Sequence, residues 1–314
     1  MKPFIVVADG FSSELFDQLK NINQFEVYPK SKIDQAELQT LLPKINGLII
    51  RSATTVDQAL LEFAPNLKYV IRAGEGTDNI DKSLCQKKDV RVSNTPGANN
   101  NSAAEHAIAL MFTLLRSTAS ANQSMHEKRW DKSLYMGNEV LNKTIGIVGF
   151  GRIGQIVAQR LAGFEPNVLF YDPFVDKSAL SYAKKATLEE VFSKSDIVSI
   201  HVPLIKQTEN LIDQNLLSKM KKTAILVNAA RGKIVNEDHL YECLSQNKIK
   251  GAAFDVFANE PLPADSKLRN LENIILTPHL GASTEEAQLR VGQMCIDQLK
   301  EFFINNNLVN EVKI

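Results

Sequence analysis

Short apolar runs rich in valine and isoleucine recur along the chain, with stretches of helical patterning between them. Runs that are apolar at every position are typical of strands buried on both faces of a parallel sheet. Strands that alternate with helices therefore predict a parallel α/β architecture. The predicted strands are residues 4–8, 47–50, 67–71, 145–149, 168–171, 196–201, 224–228, 251–254 and 273–276.

Helical patterning fills the intervals between these strands. The spacing of Asp34 and Glu37 resembles a capping box, and apolar periodicity predicts helices over 180–192, 102–127 and 284–303. The turn-rich segment 94–101 precedes the longest of these helices and marks a seam between two α/β units. One face of the 102–127 helix is apolar, which suits either a twofold dimer or packing inside its own subunit. That face consists of Ala104, Ile108, Met111, Leu115 and Ala119.

The composition narrows the class of protein. A length of 314 residues favours two domains, and 36 basic residues balance 36 acidic ones, which gives no general attraction to nucleic acid or membrane. The three cysteines are scattered, so we expect neither a disulfide framework nor a zinc site, and a reducing cytoplasm fits best. We also expect no signal peptide, membrane span or third domain.

A glycine pattern follows one of the predicted strands. Residues 144–154 read TIGIVGFGRIG, in which Gly149 permits a tight turn, Gly151 allows backbone to approach a pyrophosphate, and Gly154 allows close helix packing. The N-terminus of the following helix would face the anion with free N–H groups. Asp172 ends the next strand, where its carboxylate can accept hydrogen bonds from ribose hydroxyls and repel a 2′-phosphate. The pattern therefore predicts NAD as the cofactor.

Three further polar side chains lie just beyond predicted strands, where an open α/β sheet places its ligands. Arg231 can hold a carboxylate, His279 can transfer a proton near neutral pH, and Glu260 beside it would raise the histidine pKa above about 6.5. Taken singly, each of these residues is more often surface charge. We interpret His106, His126 and His239 as packing or solvated residues, and His201 as a residue that borders the cofactor.

These residues belong to a longer series of motifs. The series includes Arg72-Ala73-Gly74 with Asp78-Asn79, Asn94-Thr95-Pro96, Ala103-Ala104-Glu105, Trp130, His201-Val202-Pro203, and the segments 149–154, 228–232, 255–261 and 277–284. In this order it resembles the NAD-dependent D-2-hydroxyacid dehydrogenase family over nearly the whole chain. Within the family it is most similar to short D-3-phosphoglycerate dehydrogenases that lack a regulatory domain.

The resemblance implies roles for individual residues. It implies that His279 is the acid/base group, that Glu260 is its partner, and that Arg231 clamps the substrate. Lys132 matches a position where a neighbouring subunit lends a basic residue. The implied substrate contacts are Arg51, Arg72, Ala73, Gly74, Arg231 and Lys132. The implied cofactor contacts are Gly149, Gly151, Arg152, Ile153, Gly154, Asp172, His201, Val202, Ala229, Ala230, Asp255 and Gly281, with Asp255 beside the nicotinamide amide.

The resemblance also implies an architecture and a reaction. We expect two Rossmann-like doubly wound domains, one flavodoxin-like and one NAD-binding, with the active site in the cleft between them. The NAD-binding domain would span 97–283 as an insertion into a substrate domain made from 1–96 and 284–314. The expected reaction is oxidation of 3-phosphoglycerate to 3-phosphohydroxypyruvate by a homodimer.

Three alternatives to a phosphoglycerate dehydrogenase stay open, and Glu75 is one reason for them. Glu75 departs from the small or neutral residue usual in its loop, and its charge would oppose an anionic substrate unless Arg51 or Arg72 pairs with it. A glyoxylate or hydroxypyruvate reductase would not need those arginines as phosphate ligands, and another 2-oxoacid reductase is a related possibility. A protein of a different class, an NAD-sensing corepressor-like binding protein, would share the fold without turnover.

Overall fold

The computed structural model describes residues 1–313, and the chain divides into two compact units. We call Met1–Asn99 with Ala282–Ile314 the terminal unit, and Asn100–Gly281 the central unit. Both ends of the chain therefore belong to one unit, and the other is continuous in sequence.

The strands and helices are numbered in chain order through both units. The strands are β1 (Phe4–Val7), β2 (Glu26–Val27), β3 (Gly47–Ile50), β4 (Tyr69–Arg72), β5 (Arg91–Asn94), β6 (Thr144–Val148), β7 (Asn167–Tyr171), β8 (Ala183–Lys185), β9 (Ile197–Ile200), β10 (Ile225–Asn228), β11 (Gly251–Phe254) and β12 (Ile274–Leu276). The helices are α1 (Ser13–Lys20), α2 (Gln35–Leu41), α3 (Gln58–Phe63), α4 (Lys82–Lys87), α5 (Asn100–Arg116), α6 (Thr118–His126), α7 (Arg152–Leu161), α8 (Leu188–Lys194), α9 (Gln214–Lys219), α10 (Glu237–Ser245) and α11 (Glu285–Phe303).

The terminal unit is built on five parallel strands in the order β2-β1-β3-β4-β5. This is the flavodoxin-like order, in which ligands bind where the strand order reverses, between β1 and β3. One face of the sheet packs against α11, where Tyr69 stacks on Phe302 with ring centroids 4.3 Å apart. The other face covers a second apolar layer that includes Leu48, Val70 and Val92.

The central unit contains seven parallel strands in the order β12-β11-β10-β9-β6-β7-β8. The order reverses between β6 and β9, and the register pairs Val148 with both Tyr171 and Ile200. The segments that follow β6, β7 and β9 therefore leave the sheet side by side at its carboxyl edge. Apolar layers cover both faces of this sheet, and α5 lies in one of them. The expected pair of doubly wound parallel-sheet domains is confirmed.

Most helices begin at a residue whose side chain accepts a hydrogen bond from the backbone N–H three positions later. These capping residues are Ser12, Asp34, Asp57, Asp81, Thr187, Asp213, Asn236 and Thr284. Helix α7 differs, because its N-cap is Gly151, which has no side chain to accept such a bond. The first turn of α7 therefore points N–H groups outward, without a side-chain cap.

Two predicted helices differ from the structure. The 102–127 helix is divided into α5 and α6 by Ser117, whose φ of +49° is left-handed. Three residues of its predicted apolar face, Ala104, Met111 and Leu115, are buried inside their own unit, whereas Ala119, in α6, is exposed. The 180–192 helix begins only at α8, because the residues before it form β8, an edge strand paired with β7.

Among residues 1–313, no helix is both long enough and apolar enough to cross a membrane. No group of three histidine, cysteine or acidic side chains in that range is arranged to hold a metal ion. The cysteines Cys85, Cys243 and Cys295 are free and buried.

Candidate active site

The glycine loop has the geometry that its sequence predicts. Gly149 adopts φ +93°, and a Cβ on it would lie 2.7 Å from the backbone of His201, which follows the neighbouring strand β9. A Cβ on Gly154 would lie 2.2 Å from the carbonyl oxygen of Gly149. A Cβ on Gly151, in contrast, would meet no atom within 4 Å. The loop is thus packed against protein at its two ends and open in the middle, beside the first residues of α7, Arg152 and Ile153.

Asp172 anchors the glycine loop and is placed where it could also bind a ribose. Its carboxylate is 8% exposed and accepts hydrogen bonds from the backbone N–H of Phe150, in the glycine loop, and of Phe174, each at 2.8 Å. Each carboxylate oxygen has a second lone pair that a ribose hydroxyl can use. The aspartate that would select the cofactor therefore also fixes the loop that would hold its phosphates. Open space at Gly151, an uncapped helix N-terminus and this carboxylate together fit a dinucleotide.

His201 and Val202 follow β9 on the other side of the glycine loop. The backbone N–H of His201 donates to the carbonyl of Val148 at 2.7 Å, and its Nε2 lies 2.8 Å from Oγ of Ser199. Burial lowers the pKa of His201 to about 4, so the ring is neutral at pH 7. A neutral imidazole at this position would offer a cofactor shape and hydrogen bonding rather than charge.

The loop after β10 carries Ala229, Ala230 and Arg231. The side chain of Asn228, which is fully buried, accepts from the N–H of Ala230 at 3.1 Å and donates to the carbonyl of Arg231 at 2.9 Å. The guanidinium of Arg231 donates to the carbonyl of Ala230 at 2.7 Å. Asn228 therefore fixes the backbone from which the arginine extends.

His279 and Glu260 form a hydrogen-bonded pair. Nδ1 of His279 lies 2.7 Å from Oε2 of Glu260, and each side chain is about a third exposed, at 36% and 33%. Oε1 of the same carboxylate accepts from the N–H of Phe257 at 3.0 Å. Because Nδ1 is engaged with the carboxylate, Nε2 of His279 is the nitrogen left for a substrate proton.

The charge of Glu260 is favoured by its surroundings. Partial burial by itself raises the pKa of this carboxyl. The hydrogen bonds from His279 and Phe257, together with the charges of His279 and Arg231, outweigh the burial and lower the pKa below its ordinary value. Glu260 is therefore ionised at neutral pH.

A second carboxylate, that of Glu237, holds the backbone of the loop that carries Glu260. The sequence did not mark it as a site residue. Oε1 of Glu237, in the first turn of α10, accepts from the N–H of Ala258 at 2.6 Å. Burial, Asp238 and Glu260 raise the pKa of Glu237. Glu237 lies three residues after Ile234, and the sequence around it gives no signal for this contact. The reason is that its partner is a backbone group in another loop.

Asp255 follows β11 and is completely buried. It holds Gly281, whose N–H donates to Oδ2 at 2.9 Å, and it holds His279, whose N–H donates to the backbone carbonyl of Asp255 at 2.8 Å. Asp255 thus links the loop after β11, which carries Glu260, to the loop after β12, which carries His279 and Gly281.

In the terminal unit, the predicted substrate residues follow β3 and β4. The Asp9 carboxylate accepts from the N–H groups of Arg51 at 2.6 Å and Thr54 at 3.0 Å, which places Arg51 at the reversal of strand order. The guanidinium of Arg72 donates to the carbonyl of Ala73 at 3.3 Å.

The backbone of the loop after β4 is held close to that guanidinium. Gly74 has φ +144°, which strains any larger residue, and a Cβ on it would lie 1.6 Å from Nη1 of Arg72, so the guanidinium would have to move. Glu75 is fixed through its backbone carbonyl, which accepts from Nδ2 of Asn94 at 2.7 Å. Lys132, the remaining predicted substrate residue, lies in the central unit on an exposed turn, Lys132–Tyr135.

Comparisons with known proteins identify the family of the chain. Residues 108–281 match the family described as D-isomer specific 2-hydroxyacid dehydrogenase, NAD binding domain. The chain therefore belongs to the D-isomer-specific 2-hydroxyacid dehydrogenase family, and its central unit contains the NAD-binding domain of that family.

Individual relatives refine the comparison. The D-3-phosphoglycerate dehydrogenase of Archaeoglobus fulgidus is 41% identical over 94% of this chain and 56% of its own length. The hydroxypyruvate reductase of Thermotoga maritima is 40% identical over 93% of this chain and 96% of its own. The NAD-dependent formate dehydrogenase of Staphylococcus aureus, solved with NAD, superposes with a TM-score of 0.88 at 32% identity, over 100% of this chain and 99% of that one. The chain spans about half the length of the curated phosphoglycerate dehydrogenases that it matches.

Proposed function

We propose that the chain is an NAD-dependent dehydrogenase that oxidises a D-2-hydroxy acid, and that this acid is 3-phosphoglycerate. The observation that carries the proposal is the 2.7 Å contact between His279 and Glu260, in the same unit as the NAD-binding domain. Proton transfer to or from an oxygen at C2 needs such a group, and an adjacent carboxylate stabilises the charge that develops on it.

The residues of the site would divide the work as follows. His279 accepts the hydroxyl proton at Nε2 while Glu260 stabilises the resulting imidazolium through Nδ1. Arg231 holds the substrate carboxylate, because a guanidinium matches two carboxylate oxygens at once. Bound NAD supplies the acceptor for the hydride that leaves C2. The residues that would hold NAD are the glycine loop, Arg152, Ile153, Asp172, His201, Val202, Ala229, Ala230, Asp255 and Gly281.

We assign cofactor binding to the central unit and substrate binding to the terminal unit. The NAD-binding domain would comprise 97–283, and the substrate-binding domain 1–96 with 284–314. The flavodoxin-like strand order of the terminal unit supports the second assignment, because its reversal point carries Arg51.

Two arginines support a phosphorylated substrate. The parallel register pairs Ile50 of β3 with Arg72 of β4, so Arg51, which follows Ile50, lies beside Arg72 at the carboxyl edge of the sheet. Two cations near one sheet edge suit an acid that carries a carboxylate and a phosphate. Glu75, in the same loop as Gly74, would oppose an anion there.

The second candidate is reduction of hydroxypyruvate, which has no phosphate. It is favoured by the Thermotoga maritima relative, whose length this chain covers almost completely. The two candidates share His279, Glu260 and Arg231 and differ in their need for Arg51 and Arg72.

A substrate panel tests both candidates. Initial rates would be measured with NAD and 3-phosphoglycerate or D-glycerate, and with NADH and 3-phosphohydroxypyruvate or hydroxypyruvate. We expect a preference of at least about 100-fold in kcat/KM for the phosphorylated acids, which corresponds to a desolvated pair of charge-assisted contacts. Arg51→Gln should abolish most of this preference, and His279→Ala should abolish turnover.

Arg91→Gln is the matched control, because Arg91 begins β5 at the opposite edge of the same sheet and is 56% exposed. Equal rates with phosphorylated and unphosphorylated acids would refute the phosphate assignment and favour hydroxypyruvate. NAD binding without turnover of any acid in the panel would refute the enzyme and favour an NAD-sensing binding protein.

We further propose that the chain forms a homodimer through an exposed apolar segment of the central unit. Trp130, Leu134 and Met136 are 79%, 70% and 85% exposed, far more than apolar side chains of this size usually are, and Lys132 lies among them. Light scattering of the purified protein should give twice the chain mass. Trp130→Ser should give monomers, whereas Phe63→Ser, which removes a 57% exposed aromatic ring from the terminal unit, should not.

A further inference from the structure

Segment 277–281, which carries His279, is wrapped around the carboxylate of Asp255. The hydroxyl of Thr277 donates to Oδ1 at 2.6 Å, and the N–H groups of Leu280 and Gly281 donate to Oδ1 and Oδ2 at 2.8 and 2.9 Å. Burial by itself raises the pKa of Asp255, but these donors and His106 lower it below its ordinary value. The buried group is therefore an anion, and its hydrogen bonds are charge-assisted.

His106 is the donor to Asp255 that comes from a different element. Its Nε2 lies 3.1 Å from Oδ1 of Asp255 and 3.3 Å from Oγ1 of Thr277, and its side chain is 18% exposed. The single hydroxyl proton of Thr277 is already given to Asp255, so the hydroxyl oxygen can only accept from the ring. Nε2 of His106 must therefore carry a proton, which it shares between the two oxygens.

The position of His106 on α5 gives this contact its consequence. The neighbouring α5 residues Ala104, Ala107 and Met111 are almost fully buried in the core of the central unit, so the helix cannot move easily. The other donors to Asp255 all belong to segment 277–281 itself. His106 therefore ties the Asp255 anion, and with it the loop of His279, to a rigid helix.

We propose that His106 is a positioning residue of the active site, which acts through Asp255 and Thr277 to fix the backbone of segment 277–281 and hence the imidazole of His279. The proposal rests on the proposed function for its effect on turnover, but its effect on the loop can be measured without it. Backbone placement matters here because His279 has a left-handed φ of +55°, a conformation that a residue of this size keeps only when its surroundings hold it there.

The test compares His106→Leu, which removes the donor, with His106→Gln, whose amide nitrogen can replace Nε2 at similar reach. His126→Leu is the matched control, because His126 ends α6 and is exposed. Hydrogen–deuterium exchange of the apo protein reports on segment 277–281, and steady-state kinetics report on turnover. NADH binding is measured by fluorescence titration.

We expect His106→Leu to speed exchange in the peptide that covers 277–281 by about tenfold and to lower kcat by a similar factor, the loss of one charge-assisted hydrogen bond. KM for the hydroxy acid should change by less than about twofold, because Arg51 and Arg231 are untouched. His106→Gln should recover most of both losses, and His126→Leu should match the wild type.

Two results would overturn the proposal. The first is wild-type exchange and kcat in His106→Leu, which would mean that Asp255 holds the loop alone. The second is equal losses in the Leu and Gln variants with a lowered Tm in both, which would assign His106 to packing. If the wild type turns over no hydroxy acid, the proposed function fails, whereas the exchange comparison still decides the role of His106.

Discussion

Asp172 is the proposed ribose ligand and also accepts hydrogen bonds from loop backbone. The variant Asp172→Asn tests both roles, the choice of cofactor and the stability of the fold. Asparagine has nearly the same shape but offers one acceptor oxygen and one donor nitrogen in place of two acceptor oxygens. In the structure both oxygens accept backbone N–H groups, from Phe150 and Phe174 at 2.8 Å. The amide nitrogen of the variant would face one of these N–H groups, and neither could accept from the other.

The magnitude follows from these two hydrogen bonds. One charge-assisted bond becomes a neutral bond, at a cost of about 1 kcal/mol, and one partly buried N–H loses its acceptor, at a cost of about 1–3 kcal/mol. The free energy of unfolding of the central unit should therefore fall by about 2–4 kcal/mol. For a unit of this size each kcal/mol lowers Tm by about 2–4 °C, so the expected shift is about 5–15 °C.

Differential scanning calorimetry of the apo protein measures this shift, since no cofactor contact is then present. Asp176→Asn is the matched control, because Asp176 lies in the same loop with a side chain that is 90% exposed and paired only with Lys185 at the surface. A Tm for Asp172→Asn within about 2 °C of the control would refute the reasoning. In the same variant, the ratio of kcat/KM for NAD to that for NADP should fall by at least about tenfold, because the charge that repels a 2′-phosphate is gone.

Three further predictions follow from the site. Because hydrogen bonds and nearby charges lower the pKa of Glu260, its carboxylate is charged at neutral pH, so Glu260→Gln replaces a charge-assisted contact to Nδ1 of His279 with a neutral one and should lower kcat by at least about tenfold, and an unchanged kcat would contradict it. Gly151→Ala should keep the wild-type Tm but weaken NADH binding by at least about tenfold in fluorescence titrations, whereas Gly154→Ala should lower Tm, since its Cβ would lie 2.2 Å from a backbone oxygen; similar melting of both variants would contradict the geometry. Asp9→Ala removes the acceptor for the N–H groups of Arg51 and Thr54 and should raise KM for the acid about tenfold without changing NADH affinity, and an unchanged KM would remove the loop from the site.

The sequence predicts the interior of this molecule better than its edges. Strands buried on both faces, such as β3 and β11, contain only apolar residues and glycine and are found where the apolar runs predict them. Strands β2, β5 and β8 lie at the edges of their sheets and contain polar residues, so they give no such run. A polar edge avoids pairing with other chains, and this removes the signal from the sequence, whereas the fourth edge strand, β12, is apolar and was predicted.

The candidate site shows the same division. Gly149, Asp172 and His279 could be predicted because a spacing rule or a strand end marks each of them. His106 could not, because it lies on an amphipathic helix where a histidine is more often a packing or solvated residue, and only the tertiary contact at 3.1 Å from Asp255 distinguishes it. Glu237 was also missed, because only its tertiary contact with a backbone N–H distinguishes it.

Three side chains at strand ends anchor the site loops of the central unit. At the ends of β7, β10 and β11, a polar side chain bonds to the backbone of its own or a neighbouring loop at the carboxyl edge of the sheet: Asp172 to Phe150 and Phe174, Asn228 to Ala230 and Arg231, and Asp255 to Leu280 and Gly281. Buried anions and amides need such partners, and the loops need such anchors because no regular ladder satisfies their N–H groups. Removing any of these side chains therefore disturbs the loop as well as any ligand contact. Activity losses in such variants measure both effects together, and exchange or melting of the apo protein is what separates the scaffold from the chemistry.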